Sequence, residues 1–295
     1  MTITATMVKD LREKTGAGMM DAKKALEEVG GDMEKAVDWL RQKGMAKAAK
    51  KSGRAAAEGM VLALTNGEFG VMIEVNSETD FAARNENFSA FVKKTGELAL
   101  AAKAGTVDAI AALPFGNGKT VGEELTNMIA TVGENMQLRR AASLEAKGGT
   151  VGAYVHMGGK IGVLTAISAP VGDVARHVAM HVAASNPASL DRDSIDQDLL
   201  AREKAVYEAQ AAESGKPAAV VEKIVAGRVS KFLEEVCLVE QPFVMDPDRK
   251  VSAVIDGAAK GANVTGFVRF GLGEGVEKET TDFAEEVRKQ VAAAS

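Results

Sequence analysis

The stretch GMVLALTNGEFGVMIEVNSETDF, residues 59–81, decides how the centre of this chain folds. It holds two apolar, β-rich runs, 60–64 and 69–75, which are joined through Asn66-Gly67. Asn-Gly between two such runs is the strongest short signal for a β-hairpin, because both residues accept the positive φ that a tight turn requires. The sequence therefore predicts an antiparallel hairpin, followed by the polar segment that closes the stretch.

A helix and a third strand are predicted after this hairpin. Phe88, Phe91 and Val92 recur at helical spacing, and residues 138–144 form another β-rich run. A helix that covers one face of a small antiparallel sheet is the simplest way to bury both apolar patterns. The segment is therefore predicted to be an α+β subdomain.

The same plan recurs 92 residues later, because residues 161–164 align with residues 69–72 and Ile167 aligns with Val75. We interpret this internal duplication as two similar α+β subdomains with small antiparallel sheets. The last strand of the second copy is predicted within residues 242–270. On that strand Val264, Gly266, Val268 and Phe270 are expected to lie on one side.

The two copies differ where their second strand ends. The first copy has ETDF at residues 78–81, whereas the second has PVGD at residues 170–173. In one interpretation Asp80 caps the next helix and Phe81 packs beneath it. In the other, these residues form an exposed tip that docks on another protein. Composition alone favours the first interpretation.

Three short helices are predicted within residues 4–43. The first ends at Thr15-Gly16-Ala17-Gly18, the second ends at Gly30-Gly31, and Asp32 is a candidate N-cap for the third. Residues 44–57 carry several Lys and Arg side chains but no aromatic side chain that would stack on a base. They are interpreted as a solvated helical linker rather than as a nucleic-acid site.

Two further helical regions are predicted toward the C-terminus. Residues 188–235 interrupt the second copy with helical patterns at 199–212 and 217–235, which suggest an inserted helical hairpin. Phe283, Val287 and Val291 repeat every four residues and predict a terminal amphipathic helix. The predicted domains are 1–54 (three-helix module and linker), 55–145 (first core subdomain), 146–187 with 236–275 (second core subdomain), 188–235 (inserted hairpin) and 276–295 (C-terminal helix).

Composition limits the classes of function. The net charge of -5 argues against a global electrostatic grip on nucleic acid. A single cysteine, Cys237, excludes an internal disulfide and lies in an apolar run, where packing in a core is its favoured role. The sequence has neither a signal-peptide pattern nor an apolar run of about 20 residues, so we expect a cytoplasmic protein.

No catalytic constellation is recognisable. His177 and His181 have the spacing of paired metal ligands on a helix, but Val178 stands where a zinc peptidase carries its Glu. The Gly-rich segment 15–18 follows a helix rather than a strand, which favours a helix-to-helix turn over a dinucleotide loop. The sequence therefore predicts no catalytic residue, no metal site and no cofactor.

Several long motifs, in the same order, resemble those of the bacterial elongation factor Ts family, the guanine-nucleotide exchange factors of elongation factor Tu. The resemblance covers essentially the whole chain. Its motifs are LREKTGAGMMDAKKAL (11–26), EVNSETDF (74–81), GEN (133–135), LRR (138–140), HVAMHVAA (177–184), QPFVM (241–245) and GFVRF (266–270). It implies that the N-terminal module is similar to a ubiquitin-associated (UBA) domain.

The resemblance implies a role for residues 79–82. Asp80 and Phe81 would intrude near the Mg²⁺ site of the partner's GTPase domain, so that GDP leaves, and Thr79 and Ala82 would complete the tip. Ala82 stands where a bulkier Val is expected in the family.

The same resemblance implies further contacts with elongation factor Tu, in its GDP-bound and nucleotide-free states. Arg12, Met19 and Met20 would bind it from the N-terminal module, and His156 from a hairpin of the second subdomain. The C-terminal helix would dock on the GTPase domain, and the inserted hairpin serves dimerisation in some relatives. Neither a membrane nor direct binding of nucleic acid is implied.

Two other classes of function remain open from the residues alone. The first is an adaptor whose three-helix module binds ubiquitin-like or peptide ligands through Met19-Met20. The second is a metal hydrolase built on His177 and His181, for which a Glu and a convincing third ligand are lacking.

Overall fold

The computed structural model describes residues 3–213 and 216–277, and within them the chain has the predicted α+β fold. The helices are α1 (Ala5–Thr15), α2 (Met19–Glu28), α3 (Met33–Lys51), α4 (Asp80–Ala83), α5 (Glu86–Ala101), α6 (Val107–Ala111), α7 (Val121–Val132), α8 (Val174–Ser185), α9 (Gln197–Ala212), α10 (Ala218–Val236) and α11 (Val251–Ala258). The strands are β1 (Glu58–Thr65), β2 (Phe69–Ser77), β3 (Pro114–Gly116), β4 (Lys119–Thr120), β5 (Met136–Glu145), β6 (Thr150–His156), β7 (Ile161–Ile167), β8 (Pro242–Phe243), β9 (Asp246–Lys250) and β10 (Val264–Gly271).

The N-terminal module consists of α1, α2 and the first half of α3, packed around Leu11, Ala25 and Leu26. Asp32 caps α3 as predicted, because its carboxylate accepts the backbone N–H groups of the first turn. The third helix is longer than predicted and includes most of the basic linker. It continues because Gly44 and the residues that follow pack against α7, which outweighs the helix-breaking tendency of one glycine.

Two three-stranded antiparallel sheets form the centre of the molecule. The first has the order β1-β2-β5 and the second has the order β10-β7-β6. The hairpin predicted at Asn66-Gly67 is confirmed, and Gly67 adopts a positive φ of 106°. In each sheet a hairpin is followed by a helix and then by the third strand, which confirms the two similar α+β units.

The two sheets pack against each other through equivalent glycines. A Cβ atom on Gly70 would clash with Val151 and Leu164, and one on Gly162 would clash with Val61 and Met72. These contacts are reciprocal, since Gly162 and Leu164 are the counterparts of Gly70 and Met72. The two copies of the internal repeat therefore pack through a pseudo-twofold interface. In this interface the absence of a side chain on each glycine leaves space for side chains of the other sheet.

Strand β2 is buried along its whole length. Its odd-numbered residues, from Phe69 to Val75, belong to the core that α5 covers. Its even-numbered residues face the second sheet, where Met72 packs against Leu164 and Phe270. This double burial gives the end of β2 a rigid base.

Glu74 places a carboxylate inside this buried strand. It accepts hydrogen bonds from Arg139 (3.1 Å), Arg140 (2.5 Å) and the backbone N–H of Gly273 (2.8 Å). Neighbouring strand residues normally point to opposite faces, but a β-bulge in β5 at Arg139 lets both guanidinium groups reach Glu74. Burial opposes the ionisation of Glu74, yet the hydrogen bonds from Gly273 and Arg140 outweigh burial and lower its pKa.

The prediction that Val264 lies on the same side of β10 as Gly266, Val268 and Phe270 is wrong. A β-bulge falls between Val264 and Gly266, so the side-chain alternation changes phase there. Val264 packs with the core beside α8 and α11, whereas Val268 and Phe270 face the first sheet. This bulge occupies the position in the second sheet that the bulge at Arg139 occupies in the first.

Several elements were not predicted, namely α6, the β3–β4 hairpin, α7, the β8–β9 hairpin and α11. The helix α7 carries a readable signal, because Thr120 and Glu123 form a reciprocal capping box and Gly133 follows its last residue in the left-handed conformation. Helix α7 thus has recognisable sequence signals for both its N-terminal and its C-terminal cap.

The inserted hairpin is confirmed as the helices α9 and α10, which pack against each other. Cys237 follows α10 and is fully buried among Ile195 and Leu233, as expected for a cysteine used in packing. The predicted C-terminal helix, with Phe283, Val287 and Val291, lies outside the described residues. Among the helices of residues 3–213 and 216–277, none is long and apolar enough to span a bilayer.

His181 is fully buried on α8, and both of its ring nitrogens have hydrogen-bond partners. Its Nδ1 accepts the backbone N–H of Val244 (3.1 Å), so the proton lies on Nε2, which donates to Oε1 of Gln241 (2.8 Å). These bonds require a neutral imidazole, and burial lowers the pKa of His181. In the part of the chain that the structure describes, no three His, Cys, Asp or Glu side chains form a set that would hold a metal ion.

Replacing Glu74 should test the role of its buried carboxylate. We expect Glu74→Gln to lower the free energy of unfolding by about 2–3 kcal/mol, less than for a fully buried pair because both guanidinium groups are partly exposed. Urea denaturation measures this change. The control is Glu274→Gln, an exposed carboxylate 3.4 Å from Arg140, whose loss should cost at most about 0.5 kcal/mol. Equal losses from the two variants would contradict this account of the network.

His181 should make stability depend on pH. Because its pKa is lower in the folded than in the unfolded chain, its stabilising effect is complete above about 6.5 and is lost as pH falls toward the folded-state pKa. Urea denaturation between pH 7.5 and 5 should give a shallower pH slope for His181→Gln than for the unaltered chain. A pH slope that His181→Gln leaves unchanged would refute the assignment.

Candidate functional site

The segment 78–83 leaves the sheet directly after the last paired residue of β2. Thr79 is the N-cap of the short helix α4, and its Oγ1 accepts the backbone N–H of Ala82 (3.2 Å). Asp80, which was the candidate N-cap in one interpretation, is instead the first helical residue. Thr79 has an extended backbone whereas Asp80 has helical geometry, so Thr79 and not Asp80 occupies the N-cap position.

Phe81 is 80% exposed and does not pack beneath the helix. Ala82 is buried in the core that α5 covers. Adjacent residues of a helix point about 100° apart, so burial of Ala82 turns Phe81 toward solvent. The interpretation of Phe81 as a buried staple is therefore wrong. Residues 79–82, which we call the tip, expose Phe81 to solvent and bury Ala82 in the core.

Asp80 lies beside Phe81 and carries the charge of the tip. Its carboxylate forms an ion pair with Arg84 (3.0 Å), one turn later. The Arg84 side chain is largely exposed and that of Asp80 is partly exposed, so the pair contributes little stability and its members can exchange partners readily. The tip thus presents an aromatic ring and a carboxylate side by side.

Two residues that hold the tip have no role in the sequence-based prediction. Glu134 accepts hydrogen bonds from the backbone N–H (3.1 Å) and the hydroxyl (2.8 Å) of Thr79. Asn135 donates its backbone N–H to Glu78 (2.5 Å) and its side-chain amide to the carbonyl oxygen of Arg54 (2.7 Å). In the sequence these two residues are marked only by their place in the motif GEN at residues 133–135. The motif does not indicate which groups they bind.

Arg12, Met19 and Met20 are exposed on the N-terminal module, with Met19 at 61% and Met20 at 73%. The turn before Met19 approaches α7, since a Cβ atom on Gly16 would lie 3.9 Å from the Asn127 side chain. Asn127 is about 9 Å along the helix axis from Gly133, which precedes the residues that hold the tip. The turn that precedes the exposed methionines and the residues that hold the tip therefore lie along the same helix.

His156 is exposed at the end of β6, where its Nδ1 is 2.9 Å from the hydroxyl of Tyr154. The β6–β7 turn lies against the start of β1, because the carbonyl oxygen of Gly159 accepts the N–H of Val61 (2.8 Å) and Lys160 pairs with Glu58 (3.1 Å). Glu58 is paired in the sheet with Ser77, the last residue before the tip segment. The structure thus brings the His156 hairpin to the edge of the sheet from which the tip projects.

Comparison with known proteins places this architecture in a family. The family model described as "Elongation factor TS" matches residues 78–274, which include the tip, strand β5 of the first sheet and the whole second sheet. A protein of Magnetococcus marinus named elongation factor Ts is 53% identical over 301 residues, covering 99% of each chain. Those of Sphingopyxis alaskensis (52%, 97% of each chain) and Paramagnetospirillum magneticum (53%, 98% of this chain and 97% of the other) carry the same name. Because the similarity is this high over nearly the whole length, the chain belongs to the elongation factor Ts family.

Proposed function

We propose that this chain binds elongation factor Tu in its GDP-bound and nucleotide-free states and promotes the release of GDP, so that GTP can rebind. Membership of the family supports a role in translation elongation. The observation that carries the proposal is the 80% exposure of Phe81 on a tip that is held by its neighbours. A large aromatic side chain kept in water at such a position is typical of a residue that another protein buries.

Exchange of this kind requires no bond to be made or broken by the chain. It requires that the chain bind the nucleotide-free partner more tightly than the nucleotide-bound one. Linkage then obliges the chain to weaken nucleotide binding by the same factor. The proposed activity is therefore that of a binding protein that works without a cofactor of its own.

The tip is proposed to act on the Mg²⁺ and phosphate site of the GTPase. A GTPase holds its nucleotide with backbone N–H groups, a lysine and Mg²⁺, so displacement of the metal removes a large local positive charge. Phe81 would enter as the apolar wedge, and burial of its ring would favour the distorted state by roughly 1.5–3 kcal/mol. The carboxylate of Asp80 would repel the phosphates or compete for the metal's ligands.

The remaining predicted contacts extend this interface. Arg12, Met19 and Met20 would bind the partner from the N-terminal module, and His156 would bind it from the β6–β7 hairpin. Within the tip, Thr79 caps α4 and Ala82 packs in the core. The proposal places the protein in the cytoplasm, assigns it no membrane or direct nucleic-acid partner, and admits a homodimer in the complex through the α9–α10 hairpin.

Removal of the Phe81 ring should slow exchange. With elongation factor Tu loaded with fluorescent GDP, we expect Phe81→Ala to lower the maximal release rate by about 10- to 100-fold, the factor that corresponds to the lost apolar burial. Stopped-flow fluorescence at saturating protein measures this rate.

The matched control for this experiment is Met245→Ala, which shortens another exposed apolar side chain, 54% accessible on the β8–β9 turn. It should leave the rate within about twofold of the unaltered protein. If the unaltered protein did not accelerate release at all, the proposed function would be wrong. If Phe81→Ala released GDP as fast as the unaltered protein, only the role of the tip would be wrong.

Met20 should affect affinity rather than the maximal rate, because it lies on the N-terminal module and not on the tip. We expect Met20→Ala to raise the protein concentration that gives half-maximal release by about three- to tenfold, with an unchanged plateau. A titration of the release rate against protein concentration separates the two parameters. A lowered plateau with an unchanged half-maximal concentration would contradict the assignment of Met20 to binding.

A further inference from the structure

We propose that Glu134 is a positioning residue for the exchange tip, and that it acts on GDP release only through Phe81. The inference rests on the proposed function. It concerns the carboxylate clamp, a name we give to Glu78, Thr79, Glu134 and Asn135. Its members join the end of β2 to the start of β5.

The clamp begins where the sheet ends. Ser77 and Met136 are the last paired residues of β2 and β5, so the backbone ladder stops immediately before the tip segment. Beyond this point two carboxylates replace the ladder. Glu134 accepts the backbone N–H of Thr79, and Glu78 accepts the backbone N–H of Asn135. The exchange is reciprocal, because each segment supplies one carboxylate and one backbone donor to the other.

Glu134 also determines the orientation of the Thr79 hydroxyl. The hydroxyl donates its hydrogen to Glu134 (2.8 Å) and accepts the N–H of Ala82 on its lone pair (3.2 Å). A hydroxyl has one hydrogen to donate, so its bond to the carboxylate leaves the lone pairs free for the cap. The carboxylate of Glu134 therefore binds the backbone of Thr79 and also orients its hydroxyl to cap α4.

The clamp has a rigid base. Asn135 is almost fully buried, and its amide donates to the carbonyl oxygen of Arg54, whose guanidinium group lies 3.5 Å from Glu78. Lys51 donates to the carbonyl oxygen of Gly133, immediately before Glu134. The end of α3, the end of α7 and the end of β2 are thereby connected at one place.

This arrangement gives Glu134 a role in presenting the aromatic ring. Phe81 has almost no packing of its own at 80% exposure, so its direction depends on the backbone of residues 79–83. Hydrogen bonds to a charged acceptor are stronger than those between neutral groups. Loss of the carboxylate should let the segment 79–83 adopt other directions, of which only a fraction would present Phe81 productively.

The experiment is a double-mutant cycle on the maximal rate of GDP release from elongation factor Tu. We expect Glu134→Ala to lower this rate by about tenfold and Glu134→Gln, which keeps one acceptor oxygen, to lower it less. In a chain that already carries Phe81→Ala, the additional Glu134→Ala change should have almost no effect. A role in general stability would lower the rate by the same factor in both backgrounds, and that result would overturn the proposal.

Two measurements keep the outcome interpretable. Urea denaturation reports the folded fraction of every variant, so that rates are compared per folded molecule. Glu97→Ala removes an exposed carboxylate on α5 and should leave the rate unchanged. If the unaltered protein releases GDP and Glu134→Ala does so equally fast, the positioning role is refuted and the exchange function stands. If the unaltered protein does not release GDP, the proposed function itself fails.

Discussion

Two glycines at equivalent positions let the sheets of this protein approach each other. Gly70 makes room for Leu164, and Gly162 makes room for Met72. This contact buries the second face of β2, whose first face is already covered by α5. A strand packed on both faces cannot shift without opening two cores at once. The position of the tip depends on this double burial, because the tip is the direct continuation of β2.

The polar groups near the end of β2 complete this arrangement. Glu74 lies where the apolar contact between the sheets ends, and it binds the two arginines of β5 and the backbone of Gly273. Its counterpart in the second sheet is Ala166, so the buried charge belongs to the copy that carries the tip. The clamp at Glu134 continues this polar contact beyond the sheet. The tip is thus held by charge-assisted hydrogen bonds while its aromatic residue stays in solvent, an arrangement consistent with the proposed binding role because little ordering would be needed on binding.

Several features of the site were not predictable because they depend on pairing between distant segments. The bulge at Arg139 directs two consecutive side chains to Glu74, and a β-bulge leaves no clear mark in the residues that form it. The same limitation explains why Val264 was assigned to the wrong side of β10. Glu134 and Glu78 read as ordinary acidic residues until their backbone partners, more than fifty positions away in the chain, are known.

The sequence by itself determined the elements that depend on short-range chemistry. Asn66-Gly67 specified the hairpin, Asp32 specified the start of α3, and the repeat at a spacing of 92 residues specified two similar sheets. Tertiary structure alone decided whether Phe81 is buried or exposed. The sequence permits both, because a phenylalanine after an N-cap can pack beneath its helix or point away from it. Burial of Ala82 in the core settles the direction, since one helix position cannot face the core without turning its neighbour to solvent.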